Sequence, residues 1–184
     1  MAEQQLSITA GYMGNSRLKR VDVDLNYTEE QVVELVKCQQ DPVYFIKTYV
    51  QIVNVDLGLV PFDMWPFQED MVRSFHENRF NIAKMPRQCG KTTTSVGYML
   101  WCVLFNEEYT VGILANKGSL AREILGRLQK AYEYLPLWLQ QGILVWNKGN
   151  LELENGSKIY AYATSASGVR GGTYNLVFLD EFAF

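Results

Sequence analysis

The chain has 184 residues, of which 48% are hydrophobic and 20% are charged. This balance is typical of a soluble globular protein and excludes a disordered or low-complexity chain. The net charge of −3 argues against a protein coated in positive charge for nonspecific DNA binding, and no apolar run approaches the roughly 18 residues of a membrane span.

Residues 1–62 predict an N-terminal arm followed by a small helical region. Thr28, with two acidic residues and spaced valines after it, predicts the start of a helix. Asp41-Pro42 predicts the start of a second, short helix that runs to about residue 52. The segment 57–68 contains a glycine and two prolines, which predict a connection into a new unit. We assign that unit, the main domain, to residues 63–184.

Strands and helices are predicted to alternate in the main domain, after a helix from Gln68 to about Glu77. The predicted order is a strand at 80–85, a helix at 92–105, a strand at 109–115, a helix at 118–135, a hairpin at 151–163 centred on Asn155-Gly156, and an apolar, buried strand at 175–184. Alternation of this kind predicts an α/β fold with a mostly parallel sheet and helices on both faces.

The stretch "MPRQCGKTTT", residues 85–94, predicts a phosphate-binding loop of the Walker A kind between a strand and a helix. Gly90 lets the backbone approach a phosphate, Lys91 can bridge the β- and γ-phosphates, and Thr92 can offer its hydroxyl to Mg²⁺. Gly-Lys-Thr alone is weak evidence, and the alternative is a simple turn with an exposed lysine. The strand–loop–helix context favours the phosphate loop.

Four apolar residues followed by Asp180-Glu181 resemble a Walker B strand. Asp180 would hold Mg²⁺, directly or through water, and Glu181 would orient or deprotonate the attacking water, which indicates a hydrolase. The alternative is a strand that ends in two solvated acids. Arg87 lies inside the loop, where its guanidinium can stabilise charge on the γ-phosphate; the alternative is that it points to solvent or pairs with a carboxylate. Met85 replaces the usual first glycine of the motif.

These motifs resemble the ATPase domain of the large terminase subunit of tailed bacteriophages, and most of all the contractile-tailed type. Two further stretches carry the same resemblance: "YTVGILANKGSLAREIL" and "WNKGNLELENGSKIYAYATSASGVRGG". The resemblance runs from about Trp65 to the end. It implies a P-loop NTPase domain of the RecA-like (ASCE) class that uses ATP and Mg²⁺ in the host cytoplasm and drives double-stranded DNA into the procapsid. It also implies that the protein forms a homo-oligomeric ring, has a small terminase subunit and a portal protein as partners, and does not act at a membrane. The family further carries a nuclease domain, which this sequence lacks.

By position, the resemblance implies a role for each residue of the site. Arg87 and Glu181 correspond to the catalytic residues, and Thr92 and Asp180 to the Mg²⁺ ligands. The nucleotide-binding residues that it implies are Gln68, Arg87, Gln88, Cys89, Gly90, Lys91, Thr92 and Thr93. Gln68 matches a glutamine that reads adenine, while a local backbone bond at a helix start is an equal alternative. Arg170 would act as a sensor or finger toward phosphate or a neighbouring subunit, with solvent exposure as its alternative.

The sequence stops three residues after Glu181, and we therefore expect an ATPase domain truncated after the Walker B strand. Two alternatives to the packaging motor remain at this point. One is a helicase-like DNA translocase with the same ATPase core. The other is a catalytically idle nucleotide-binding or assembly module.

Overall fold

The computed structural model describes residues 11–54, 56–164 and 172–181. Within these residues the helices are α1 (Glu29–Gln40), α2 (Pro42–Tyr49), α3 (Pro66–Glu77), α4 (Lys91–Phe105) and α5 (Gly118–Glu133), with a short 3-10 helix at Leu137–Leu139. The strands are β1 (Gly11–Tyr12), β2 (Asn15–Lys19), β3 (Gln51–Asn54), β4 (Gly58–Pro61), β5 (Thr110–Ala115), β6 (Ile143–Trp146), β7 (Asn150–Leu153), β8 (Lys158–Ala163) and β9 (Leu176–Asp180).

The two predicted N-terminal helices are confirmed, and both begin at the expected caps. The Thr28 hydroxyl accepts a hydrogen bond from the Gln31 backbone N–H, and the Gln31 side chain accepts one from the Thr28 N–H. The Asp41 carboxylate caps α2 through the backbone N–H of Val43, and Pro42 occupies the first helical position. These caps satisfy N–H groups that an isolated helix end leaves unpaired.

A β-hairpin formed by β3 and β4 replaces part of two predicted segments. The second helix ends at Tyr49 rather than near residue 52, because Gln51 begins β3, and the predicted connection at 57–68 contains β4. The Asn54 side chain accepts from two backbone N–H groups of the turn, and Gly58 adopts a positive φ of 74° at its end.

The central sheet has five strands in the order β6-β7-β8-β5-β9. Strand β5 pairs parallel to β8 and to β9, whereas β6, β7 and β8 pair antiparallel. The prediction of a mostly parallel sheet is therefore wrong, and the sheet is mixed. The physical reason is local: a tight turn joins β7 to β8, with Gly156 at a positive φ of 81°, and short turns produce antiparallel neighbours.

Helix α5 packs extensively on β5 and β8, whereas α4 contacts β5 and packs on α5. The buried side chains Val111, Ile113 and Ile159 lie on the face toward the core. On β9, Val177 and Leu179 remain 47% and 43% exposed. Within the described residues the prediction of helices on both faces is thus not met. The predicted buried strand at 175–184 is, over its described part Leu176–Asp180, a partly exposed edge strand.

The predicted strand at 80–85 does not form in the described structure, and these residues have no regular secondary structure. Phe80 is 84% exposed and Ile82 is 99% exposed. A strand requires a hydrogen-bonded neighbour, and strand β9 at the edge of the sheet pairs with β5 but with no part of 80–85. The apolar sequence therefore indicated a strand, but in the described structure it does not pair with the outer edge of β9.

The N-terminal strand β2 is fastened to the main unit by a buried glutamine, Gln140. Its amide oxygen accepts from the Lys19 N–H, and its amide nitrogen donates to the carbonyls of Arg17 and Leu135. Helices α2 and α3 pack on α4, which places them behind the helix that carries the predicted phosphate loop. In the described parts of the chain, no helix is both long enough and apolar enough to cross a bilayer.

Candidate functional site

The predicted site residues meet at the edge of the sheet where β5 and β9 end. Ala115, the last residue of β5, is paired with Asp180, the last residue of β9. Helix α4 ends at Phe105, leads through a short loop into β5 and packs on that strand, so its N-terminus lies toward this same edge. The carboxyl edge of parallel strands is where α/β proteins bind ligands.

Residues 86–90 form the turn that precedes α4. Gln88 and Gly90 both have positive φ values, 62° and 79°. The Cys89 thiol donates to the Pro86 carbonyl at 3.0 Å, which closes the turn on itself. The Gly90 carbonyl accepts from the Thr94 backbone N–H and from the Thr94 hydroxyl, so the turn leads directly into the first turn of the helix.

Helix α4 has no side-chain cap at its N-terminus. Among the described residues, the backbone N–H groups of Lys91, Thr92 and Thr93 have no hydrogen-bond acceptor. These donors and the helix dipole both favour a negative group at this end of the helix. The first turn of α4 is therefore open to an anion such as a phosphate.

Asp180 is a buried carboxyl group, 7% exposed, at the end of β9. Burial raises its pKa, the neighbouring Glu181 raises it further, and the positive charges of Lys91 and Arg127 lower it. Lys91 begins α4, whose N-terminus lies toward the same sheet edge as the end of β9, and its positive charge acts on the Asp180 carboxylate from there. The fold thus brings the predicted phosphate lysine and the predicted magnesium ligand, which are distant in sequence, into one site.

Glu181 follows Asp180 in a strained backbone conformation, with a positive φ of 49°. A residue with a side chain adopts this region rarely, and such residues concentrate at functional sites. Its side chain is exposed. The sharp change of direction after β9 gives the two adjacent carboxylates different surroundings, one buried and one open to solvent.

Gln68 lies in the first turn of α3 and reaches the loop. Its amide oxygen accepts from the Trp65 backbone N–H at 2.9 Å, and its amide nitrogen donates to the Cys89 carbonyl at 3.0 Å. The local backbone bond that was one of the two interpretations of this residue is therefore present. The contact with adenine remains a prediction.

The other predicted residues differ in how the structure places them. The Arg87 and Gln88 side chains are exposed, whereas Cys89, Thr92 and Thr93 are partly buried. Arg170 and the final residues 182–184 lie outside the described residues. Sequence reasoning missed Arg127, which acts on Asp180 from α5 and also pairs with Glu123 at 2.7 Å. Nothing in its helical stripe distinguished it from other exposed arginines.

Comparisons with known proteins give a family and a fold. Residues 82–184 match the family model described as the N-terminal part of the large terminase subunit of the T4-like virus type. The chain also resembles the crystal structure of the large terminase of bacteriophage HK97, with a TM-score of 0.62 and 19% sequence identity. That match covers 77% of this chain and 30% of the HK97 chain. The chain therefore shares its mixed α/β fold with part of a longer protein.

Proposed function

The chain belongs to the T4-like family of large terminase subunits, as their N-terminal part, and from this premise we propose that it binds and hydrolyses ATP with Mg²⁺ in a DNA-packaging motor. The observation that carries the proposal is the meeting of Lys91 and Asp180 at the carboxyl edge of the sheet, beside the uncapped first turn of α4.

The phosphates of ATP fit the loop and the start of α4. The free N–H groups of Lys91, Thr92 and Thr93 would donate to phosphate oxygens, and Gly90 allows a close approach because it has no side chain. The Lys91 ammonium supplies the positive charge that the β- and γ-phosphates require. Gln88 and Cys89 contribute the backbone of the turn to the same binding surface.

The donor set also fits Mg²⁺, which takes oxygen ligands and commonly one or two protein groups plus phosphates. Thr92 would contribute its hydroxyl, and Asp180 its carboxylate. The buried Asp180 carboxyl has a raised pKa, so a cation beside it would favour the ionised form. When bound, Mg²⁺ neutralises charge that develops on the transferred phosphoryl group.

Hydrolysis requires a group that orients water, and Glu181 suits that role because its side chain is exposed next to Asp180. Arg87 is exposed in the loop and carries no ion pair among the described residues, so it is available to a γ-phosphate. The predicted role of Arg170 as a sensor or finger is retained as part of the proposal.

The partners in this proposal are double-stranded DNA, the small terminase subunit and the portal protein, with the motor acting as a homo-oligomeric ring in the host cytoplasm. What supports them is family membership. The chain spans 30% of the HK97 protein it resembles, so DNA packaging is proposed for the full large subunit, and ATP binding and hydrolysis are proposed for this part of it.

A second candidate function is nucleotide binding without turnover, as an assembly module. The observation that favours it is the absence of a strand at 80–85 within the described structure, directly before the phosphate loop. A loop anchored by a paired strand holds its ligand more rigidly than one that follows an irregular, exposed segment. Turnover separates the two candidates.

The experiment compares the wild-type chain with Glu181→Gln and with Glu133→Gln, a control on α5. Binding of a fluorescent ATP analogue and release of phosphate are measured with Mg²⁺ present. The motor proposal predicts that Glu181→Gln binds as the wild type does and loses turnover by roughly 10²-fold or more, the scale of a lost general base. Binding with no turnover in the wild type supports the assembly module, and turnover that survives Glu181→Gln refutes the role of Glu181.

A further inference from the structure

Helix α5 carries an exposed glycine in its middle, at a position where the fold does not require a small residue. Among the residues that the structure describes, nothing lies within 4 Å of a Cβ atom added to Gly126. Its φ is not positive, so the backbone does not require glycine either. Glycine weakens the interior of a helix, and its main use is to let another molecule approach the backbone closely. Gly126 therefore indicates a contact with something outside the described fold.

Two cationic side chains border this glycine, one helical turn away on each side. Arg122, Gly126 and Lys130 are four residues apart, so they form a row along α5, and about 12 Å separates the Cα atoms at its two ends. The Arg122 guanidinium leans away from the centre, with Nη1 3.3 Å from the Cβ position of Gly118. The Lys130 ammonium leans the other way and lies 4.8 Å from the centre of the Tyr134 ring. The row thus has an open centre and positively charged ends.

Strand β2 adds a third cation at one end of the row. The Arg17 guanidinium carbon lies 5.0 Å from the centre of the Tyr134 ring, which the Lys130 ammonium also approaches. The two positive groups, Lys130 first and then Arg17, lower the pKa of the Tyr134 hydroxyl. The Asn15 amide fixes β2 in this place by donating to the Glu133 carboxylate at 3.1 Å. Two like charges therefore converge on one ring, an arrangement that an anion between them would stabilise.

The carboxylates on this face of α5 do not cancel its positive charge. Glu123 pairs with Arg127 at 2.7 Å, and Glu133 lies 3.9 Å from the Lys130 ammonium. Within the described residues, two cations of this face have no ion pair: Arg17 and Arg122. The four cations and two carboxylates give the face a net charge of +2, whereas the whole chain carries −3.

We propose that this face of α5, centred on Gly126, holds the phosphodiester backbone of double-stranded DNA. A sugar-phosphate strand crosses the helix at Gly126, where no side chain keeps it away, and Arg122 and Lys130 reach phosphates on either side of the crossing. Arg17 and the Tyr134 hydroxyl contact the phosphate at the Lys130 end. Contacts of this kind carry no sequence information, which suits a motor that moves along any DNA. The choice of duplex DNA as the ligand rests on the proposed function.

Gly126→Gln separates a binding role from a folding role. Glutamine is a better helix former than glycine, so the melting temperature of the variant is expected to rise by about 2–4 °C. Fluorescence anisotropy measures binding to a duplex of about 20 base pairs at about 50 mM salt, without nucleotide. Because the added side chain covers the open centre, the affinity is expected to fall by about tenfold, the scale of one lost charged hydrogen bond. Unchanged affinity overturns the inference, whereas a more stable chain that binds less cannot be explained by unfolding.

Arg122→Gln and Lys130→Gln test the two ends of the row. Each variant is expected to reduce the slope of the logarithm of affinity against the logarithm of salt concentration by about 0.9, the contribution of one phosphate contact. The matched control is Lys47→Gln on α2, which removes one positive charge from a lysine that pairs with Glu69 at 2.6 Å. The control should leave the slope unchanged. If it lowers the slope as much as the row variants do, or if the wild-type chain does not bind the duplex, the inference fails.

Anionic lipid offers phosphates too, so phosphatidylglycerol vesicles are the alternative probe. If the wild-type chain binds the vesicles more tightly than the duplex, and Gly126→Gln loses that binding, DNA is the wrong ligand and the inference is overturned. ATP binding is measured separately. Normal ATP binding with unchanged DNA affinity in all row variants refutes this inference and leaves the proposed function intact. Loss of DNA binding in these variants supports the inference even if the wild-type chain does not bind ATP, and the proposed function is then the part that fails.

Discussion

Replacing Gly90 with alanine tests the packing of the phosphate loop. Gly90 has a φ of 79°, and its added Cβ would lie 2.5 Å from the Gln68 amide nitrogen. Gly58 provides a matched control, because its φ of 74° is nearly the same and nothing lies within 4 Å of its Cβ position. Gly58→Ala therefore measures the backbone cost alone.

The structure sets the size of each effect. An alanine in the left-handed region costs about 1–2 kcal/mol, partly offset by about 0.4–1 kcal/mol from the lower entropy of the unfolded chain. Gly58→Ala should thus lower the free energy of unfolding by about 1 kcal/mol. Gly90→Ala must also displace the buried Gln68 amide, and unpaired buried groups cost about 1–3 kcal/mol. Its total cost is expected to be about 2–4 kcal/mol.

The assay is urea unfolding of the full chain, combined with a double-mutant cycle. In a Gln68→Ala background the clash disappears, so Gly90→Ala should cost no more than Gly58→Ala does in the wild type. The packing argument is refuted if Gly90→Ala and Gly58→Ala are equally destabilising in the wild-type chain. It is equally refuted if the extra cost of Gly90→Ala persists without the Gln68 side chain.

Three further predictions concern burial. Asp180→Asn should raise the melting temperature of the nucleotide-free chain, because burial raises the pKa of this carboxyl and its ionised form opposes folding at neutral pH. The exposed Asp56→Asn is the control, and a lower melting temperature of Asp180→Asn with Asp56→Asn unchanged would contradict this prediction. Gln140→Leu should lower the free energy of unfolding, measured by urea titration, by about 2–4 kcal/mol, because it unpairs the Lys19 N–H and two carbonyls. If it costs no more than Gln40→Leu at an exposed position, these hydrogen bonds do not stabilise the fold. At pH 8 an alkylating reagent should modify Cys89 alone, because burial raises the pKa of both Cys38 and Cys102 to about 12. Mass spectrometry of peptides identifies the modified residues, and modification of Cys38 or Cys102 in the folded chain would refute this prediction.

Local signals made the helices predictable from the sequence. Thr28 and Asp41 cap their helices within three residues, so the bonds that start α1 and α2 are determined by neighbours in the sequence. The hairpin around Asn155-Gly156 is local in the same way. Strands β4 and β6 were missed because each has four residues, too few to show a period of two above the noise.

Tertiary contacts decided what the sequence did not show. The meeting of Lys91 and Asp180 depends on where β9 joins the sheet, because the end of β9 and the start of α4 then share its carboxyl edge. The bond from Gln68 to Cys89 joins residues 21 apart and depends on how α3 packs, which no motif encodes. The segment 80–85 has the composition of a strand, but composition does not determine pairing, and in the described structure this segment does not pair with the outer edge of β9.

The central claim is that the loop before α4 binds a nucleotide through Lys91, and titration calorimetry with a non-hydrolysable ATP analogue and Mg²⁺ tests it most directly. The wild-type chain is compared with Lys91→Ala and with Lys84→Ala, an exposed lysine just before the loop. We predict binding by the wild type and by Lys84→Ala, and a loss of at least about tenfold in Lys91→Ala, the scale of a charged hydrogen bond. Equal binding by all three proteins, or equal loss in both variants, would contradict the assignment of this loop as the nucleotide site.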